Sequence, residues 1–282
     1  MPGTLFVVAT PIGNLGDLTE RARATLAAVE VVAAEDTRRT RALLSHLGIV
    51  GRRLVALPAD APDRAVAAVV AELAQEKSVA LVTDAGTPVV SDPGTALVRA
   101  ATAAGARVIP IPGASAVTAA VAVSGLVDGP FLFLGFLPRH GEKRRRALER
   151  IVGAPEPVVL FESPRRIAAT LTELATRIPG RRAVVARELT KLHEELRRGT
   201  VEELASEPPP ELGEVTLVID QVGDSEAAAP AVDVDELLRA RLAAGDSART
   251  AAATVAAATG LPRREAYARV LALTAGSARS GR

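Results

Sequence analysis

No cysteine occurs among the 282 residues, which excludes disulfides, thiolate metal sites and a cysteine nucleophile. Aromatic residues make up only 2%, so the core must be Ala, Val, Leu and Ile. That scarcity argues against base recognition by aromatic stacking. Neither sign of charge is in excess. The formal net charge is +1, so any nucleic-acid contact has to come from local patches. Lysine is confined to Lys77, Lys143 and Lys191. The uncharged run Val108 to Val127 is interrupted by Pro110, Pro112, Gly113 and Gly125, and reads as a buried strand, a turn and a helix rather than a membrane span. The N-terminus, MPGTLFVVATPIG, has no basic segment ahead of its apolar residues and is not expected to act as a signal peptide. A soluble, cytoplasmic protein is expected. His46, His140 and His193 lack ligand spacing, and no metal site is expected. Dinucleotide, P-loop, zinc-protease and nucleophile-elbow motifs are all missing or incomplete.

Length allows two domains. Short β-branched runs alternate with helical patterns: strands at Thr4–Thr10, Glu30–Ala34, Arg53–Leu57, Ser78–Thr83 and Arg107–Ile111, with helices after each. This predicts a parallel α/β sheet over residues 4–124 with helices on both faces. From residue 125 to 222 the pattern restarts, with strands at Phe131–Phe136, Val158–Glu162, Ala183–Arg187 and Val215–Asp220 and a half-exposed strand or hairpin within Glu188–Arg198. A second α/β domain with mixed strand directions is expected. Gly223–Ala231 reads as a linker, and residues 233–275 as a small extension of three helices near 234–243, 247–259 and 262–274, with a disordered tail.

Four strand ends carry loops of unusual composition: PIGN from Pro11, AEDTR from Ala34, DAGTP from Asp84 and PGAS from Pro112. Loops at the carboxyl ends of one parallel sheet open on one side, where ligands bind. Each loop alone reads equally as an ordinary turn; their convergence points to a cleft that holds a ligand by shape and main-chain hydrogen bonds, such as a nucleoside cofactor. The segment Lys143–Arg144–Arg145–Arg146, with Arg139 nearby, places cations in the first turn of a helix, against its dipole. Phosphate contact explains that cost better than a solvated helix face does.

The stretches LFVVATPIGNLGDLTERA, VVAAEDTRRT, LVTDAGTPVVSDPG, VIPIPGASA, GFLPR, FESPRR and VARELTKLHEEL, in that order, resemble the tetrapyrrole-methylase superfamily. Within it they are similar to the bacterial enzymes that methylate the ribose of a decoding-centre cytidine in 16S rRNA. The resemblance implies two α/β domains of class III methyltransferase type, S-adenosylmethionine (SAM) in the cleft between them, and a homodimer acting on 16S rRNA or the small ribosomal subunit. Carried over by position, the SAM loops are Pro11, Gly13 and Asn14; Asp84, Ala85, Gly86, Thr87 and Pro88; and Pro112, Gly113, Ala114 and Ser115. The second domain adds Phe161, Glu162, Ala186, Arg187, Glu214, Val215 and Thr216. Where relatives often carry a His/Asn-rich segment, this chain has Pro58–Ala59–Asp60–Ala61–Pro62.

A ribose hydroxyl needs a base or acceptor as it attacks. Asp36 and Glu188 are the candidates, with Lys191 or Arg38 steadying phosphate or alkoxide; Asp36 reads equally as a helix cap. RNA contacts are expected at Arg38, Arg139, Lys143, Arg144, Arg145 and Arg146. A ring methylase of the same fold and a non-catalytic ribosome-assembly factor are the competing readings.

Overall fold

In the computed structural model, residues 2–222, 234–259 and 261–277 are described. The chain forms two compact units, Met1–Val222 and Gly223–Arg282. The linker read at 223–231 and the last five residues lie outside the described residues.

The first sheet contains β1 (Thr4–Val8), β2 (Val31–Ala34), β3 (Arg53–Ala56), β4 (Val79–Val82) and β5 (Arg107–Ile111) in the order β3-β2-β4-β1-β5, every pair parallel. Its helices are α1 (Glu20–Ala28), α2 (Thr37–His46), α3 (Asp63–Ala74), α4 (Thr95–Ala103) and α5 (Ala116–Ser124). β2 and β4 are buried at every residue, which is why VVAA and VALV show no polar alternation. Successive residues of a strand point to opposite faces. Val31, Ala33, Val79 and Leu81 therefore pack with α3 and α4 through Val69, Leu73 and Leu97. Val32, Ala34, Ala80 and Val82 pack on the other face with Leu26 of α1 and Leu44 of α2. Thr19 caps α1, accepting from Ala22 N, while Asp17 lies in a short 3-10 turn, Leu15–Asp17, capped by Asn14.

The second sheet contains β6 (Leu132–Phe136), β7 (Val158–Glu162), β8 (Arg182–Arg187), β9 (Glu195–Thr200) and β10 (Val215–Ile219) in the order β6-β7-β10-β8-β9. Directions are mixed, with β10 antiparallel to both β7 and β8, and β8 and β9 forming a hairpin. One face packs on α6 (Gly141–Val152), α7 (Ile167–Ala175) and α8 (Val201–Ser206). The other packs Val159, Val184, Ala186 and Val218 against Val117 and Ala120 of α5. This contact fastens the last helix of the first sheet onto the second, and so fixes the cleft between them.

Helix α8 is absent from the sequence reading, although its signal is present. Thr200 and Glu203 form a capping box, each side chain bonded to the other's backbone N–H. Thr200→Ala is expected to cost about 1 kcal/mol in urea denaturation; no change would mean that solvent replaces the cap.

The second unit is three helices, α9 (Val234–Ala243), α10 (Ala248–Thr259) and α11 (Arg263–Ser277), around Leu238, Val255, Ala266 and Val270. Ser247 caps α10 through Thr250 N at 3.2 Å. Among the described residues no helix is long and apolar enough to cross a membrane.

Candidate active site

The loops at the carboxyl edge of the first sheet are laced together. Thr10 and Gly86 exchange backbone hydrogen bonds of 2.9 and 3.1 Å, and Thr10 Oγ1 donates to Thr83 O at 3.1 Å. Thr87 Oγ1 donates to Ala114 O at 3.2 Å. Gly86 sits at φ +86°, and a Cβ there would stand 3.3 Å from Ile12, so the crossing requires glycine. These contacts turn three separate loops into one rigid edge.

Three carboxylates lie along it. Glu35, at the end of β2, accepts from Thr83 Oγ1 at 2.6 Å and from Asp84 N at 3.3 Å. Asp84 accepts from Asp36 N at 3.1 Å and lies 3.4 Å from Arg39. Asp92 follows Val89 and Ser91, both held at positive φ, a costly conformation for a β-branched residue. Burial and the Glu35 carboxylate push Asp92 up to about 6, against the Thr83 hydroxyl, which lowers it. Asp84 is raised by the same two causes. Carboxylates gathered beyond what their neighbours neutralise suit a cationic ligand. Among the described residues, no group of three or more acidic, histidine or cysteine side chains is arranged to hold a metal ion.

Across the cleft the second sheet offers an apolar wall. The chain has five phenylalanines, and three of them cluster here: Phe161 lies 5.1 Å from Phe133 and 5.4 Å from Phe136 between ring centroids. Phe136 is 60% exposed. A cavity of about 400 Å3 lies between this wall and the acidic edge. A second, of about 420 Å3, shares Ile12, Arg39, Asp84, Ala85 and Glu214 with it.

The residues expected from sequence divide as follows. Asp84, Ala85, Phe161, Glu162, Ala186, Glu214, Val215 and Thr216 line the first cavity. Pro11, Gly13 and Lys191 line the second. Asn14, Gly86, Thr87, Pro88, Pro112, Gly113, Ala114, Ser115 and Arg187 line neither; Gly86, Thr87 and Ala114 tie loops together, and Arg187 pairs with Glu195 at 3.0 Å. Glu35, Arg39, Ser91, Asp92, Phe136 and Leu189 line the first cavity and are not among those expected. Glu35 and Asp92 are within reach of the sequence, since Glu35 stands in the AEDTR loop and Asp92 in the stretch LVTDAGTPVVSDPG.

Asp36 caps α2 and is bound by Arg38 at 2.8 Å. Hydrogen bonds from Arg38 hold its carboxyl at about 2, a poor proton acceptor, and it lines neither cavity. Glu188, at φ +52°, accepts from Lys191 Nζ at 2.8 Å and Glu214 N at 2.9 Å. Burial pushes Glu188 up, but those two donors outweigh it and its carboxyl ends below the usual range. Burial works against the Lys191 ammonium, yet Glu188 and Glu214 hold it protonated above its ordinary value. A Cβ at Gly13 would collide with the Lys191 stem. Gly13→Ala is thus expected to swing the ammonium off both carboxylates at a cost of about 1 kcal/mol in urea denaturation; unchanged stability would mean that Lys191 relocates freely.

The basic segment of α6 is largely neutralised. Arg144 is spent on Glu173 at 2.8 Å, Thr170 and Pro138 O; Arg145 binds Glu142 and Glu149; Arg146 binds Glu142. Glu142 is held at about 2 by Arg145 and Arg146. Arg139 and Lys143 are exposed and have no ion-pair partner among the described residues.

The model of the tetrapyrrole (corrin/porphyrin) methylases matches residues 4–205. The chain belongs to that family. A second model, the RsmI C-terminal HTH domain, matches residues 228–274. Among curated relatives, the ribosomal RNA small subunit methyltransferase I of Xylella fastidiosa strain Temecula1 is 45% identical over 94% of this chain and 98% of its own length. The protein of the same name from Synechocystis is 41% identical over 97% and 99%, and that of Thermotoga maritima 44% identical over 77% and 98%. Among solved structures, the uroporphyrin III C-methyltransferase of Thermus thermophilus superposes with a TM-score of 0.56 over 77% of this chain and 97% of its own, at 17% identity. Diphthine synthase superposes with 0.59 over 77% and 90%, at 19% identity. The two sheets and their cleft are thus the methylase fold of this family.

Proposed function

We propose that the chain is a SAM-dependent methyltransferase of small-subunit rRNA, and that its acceptor is the ribose 2′-hydroxyl of a cytidine in the decoding centre. The observation that carries the reading is a cleft with carboxylates on one wall and phenylalanine on the other, in a chain 40–45% identical to rRNA methyltransferases over most of its length. Ring methylases share only the fold at that level of similarity.

The cavity suits the cofactor in size and chemistry. Sites for ligands of this kind span roughly 300–1,000 Å3, and the cavity holds about 400 Å3. SAM, when bound, supplies a methyl group on a cationic sulfur. Asp92 and Asp84 would hold its positive groups, Phe136, Phe161 and Val215 its apolar surface, and the backbone around Ala85 and Thr216 its polar edge. The protein aligns the acceptor and excludes water. Lys191, kept protonated by its two carboxylates, would donate a hydrogen bond to a ribose or phosphate oxygen of the acceptor. Glu188 holds Lys191 and is a positioning residue.

The enzyme would work in the cytoplasm as a homodimer, for which Leu192 and Leu212, 93% and 74% exposed, offer apolar surface. Sedimentation of a monomer at micromolar concentration would remove the dimer from this reading. The function itself is tested by mapping ribose methylation in small-subunit rRNA from a strain lacking the gene. Loss of one decoding-centre mark, restored by the gene, is expected; an unchanged cytidine would sink the assignment.

A further inference from the structure

Helix α2 buries Thr40 and Leu44 and leaves Arg39, Ala42, Leu43 and His46 off the core, half-buried or exposed. Spaced i, i+3, i+4 and i+7, these four form one stripe, about 10 Å long at 1.5 Å per residue. All four line the second cavity. Arg39 also lines the first cavity, and His46 does not. The stripe therefore runs outward from the wall that the two cavities share.

The two ends of the second cavity differ in chemistry. At the shared wall stand Asp84, Arg39 and Glu214, with Lys191 3.1 Å from Glu214. That end offers donors and acceptors together, which is what hydroxyl groups require. Away from it, Leu15, Ala42 and Leu43 provide apolar surface, and the His46 imidazole can hydrogen-bond at its margin. A molecule with a hydroxyl-bearing end and a flat, polar-edged end fits this gradient, and a nucleoside is such a molecule. The neutralised arginines of α6 offer no comparable seat.

We propose that the second cavity seats one unstacked nucleotide of the RNA acceptor, with its ribose against the Asp84–Glu214 wall and its base along Leu43 and His46. The inference rests on the proposed function and deepens it. A base removed from its stack is held by side chains on its faces and edges, and α2 is the element that supplies them. It also explains why α2 keeps a leucine and a histidine off the core at the mouth of a cleft.

The test uses the full-length protein with Leu43→Trp, which fills the cavity, and His46→Ala, which removes the base-edge group; neither residue is buried in the core. Binding of cytidine 3′,5′-bisphosphate is followed by NMR with S-adenosylhomocysteine present, and SAM affinity by calorimetry. L43W is expected to weaken the bisphosphate at least tenfold and to raise the KM for small subunits at least tenfold, with SAM affinity changed less than twofold. H46A should raise the same KM several-fold. Unchanged bisphosphate binding and unchanged KM in both variants would overturn the inference. If the wild type binds the bisphosphate and L43W blocks it, yet no rRNA methylation is found, the cavity stands as a nucleotide site while the proposed acceptor falls.

Discussion

Glu162→Ala is expected to destabilise the first unit by about 3 kcal/mol, more than any surface change in this protein. Glu162 ends β7 with its carboxylate buried. One oxygen accepts from Ser163 N and Arg166 Nε, both at 2.7 Å, and the other from Thr170 Oγ1 at 2.8 Å. Arg144 stands 4.0 Å away. The group therefore sews the corner between β7 and α7 to α6. Breaking a buried pair from one side costs roughly 3–5 kcal/mol because the other charge loses its partner. Arg166 retains some contact with solvent, which favours the lower end. At roughly 2–4 °C per kcal/mol for a unit of this size, calorimetry should show Tm lowered by about 6–12 °C. Glu162→Gln, which keeps acceptors but not charge, should fall between. A loss under about 2 °C would mean that Arg166 and Thr170 find other partners at no cost. With its oxygens committed to protein donors, Glu162 is best understood as shaping the cavity.

Glu162 also shows what is legible in the chain and what is not. β5 and β7 run from Arg107 to Ile111 and from Val158 to Glu162, as their patterns predict, because Gly105, Pro112, Pro157 and Ser163–Pro164 punctuate them. Three extension helices are readable for the same reason, although α11 continues to Ser277, past the expected end. Partners distant in sequence are not readable. Arg144 looks like a free cation in the sequence because Glu173, on α7, is invisible to local spacing. Glu142 is visible there, but its reach to both i+3 and i+4 neutralises more of the segment than its single charge suggests. The acidic edge depends on strand order: Glu35 meets Thr83 because β2 lies beside β4, with Ala34 opposite Val82. No periodicity encodes that adjacency. The sequence leaves Asp36 open between base and helix cap and does not show its Arg38 partner, and it passes over Glu35 beside it.

Asp92→Asn is expected to weaken SAM binding roughly 10- to 100-fold, the loss of one hydrogen bond to a charged group at roughly 1.5–3 kcal/mol. The effect should carry a pH signature of definite sign. In the folded protein Asp92 is pushed up to about 6, from an ordinary value of 3.8. Its contribution to stability is therefore full below about 4 and is lost as pH rises through about 6, because the folded chain holds the proton more tightly than the unfolded one. Cation binding favours the ionised carboxylate and has the opposite dependence. Affinity should rise with pH up to about 6 and level off above it, as protonation no longer competes. Stability and affinity thus run against each other over the same window, which a generic acid effect would not produce. The amide of D92N cannot titrate, so this variant should flatten that part of both profiles while leaving the Glu35–Thr83 bond in place. Calorimetry with SAM at several pH values between about 5 and 8, paired with thermal unfolding of the free protein, measures both. Wild-type affinity independent of pH across that window, or D92N affinity equal to wild type, would remove Asp92 from the cationic site and leave Asp84 to hold the charge.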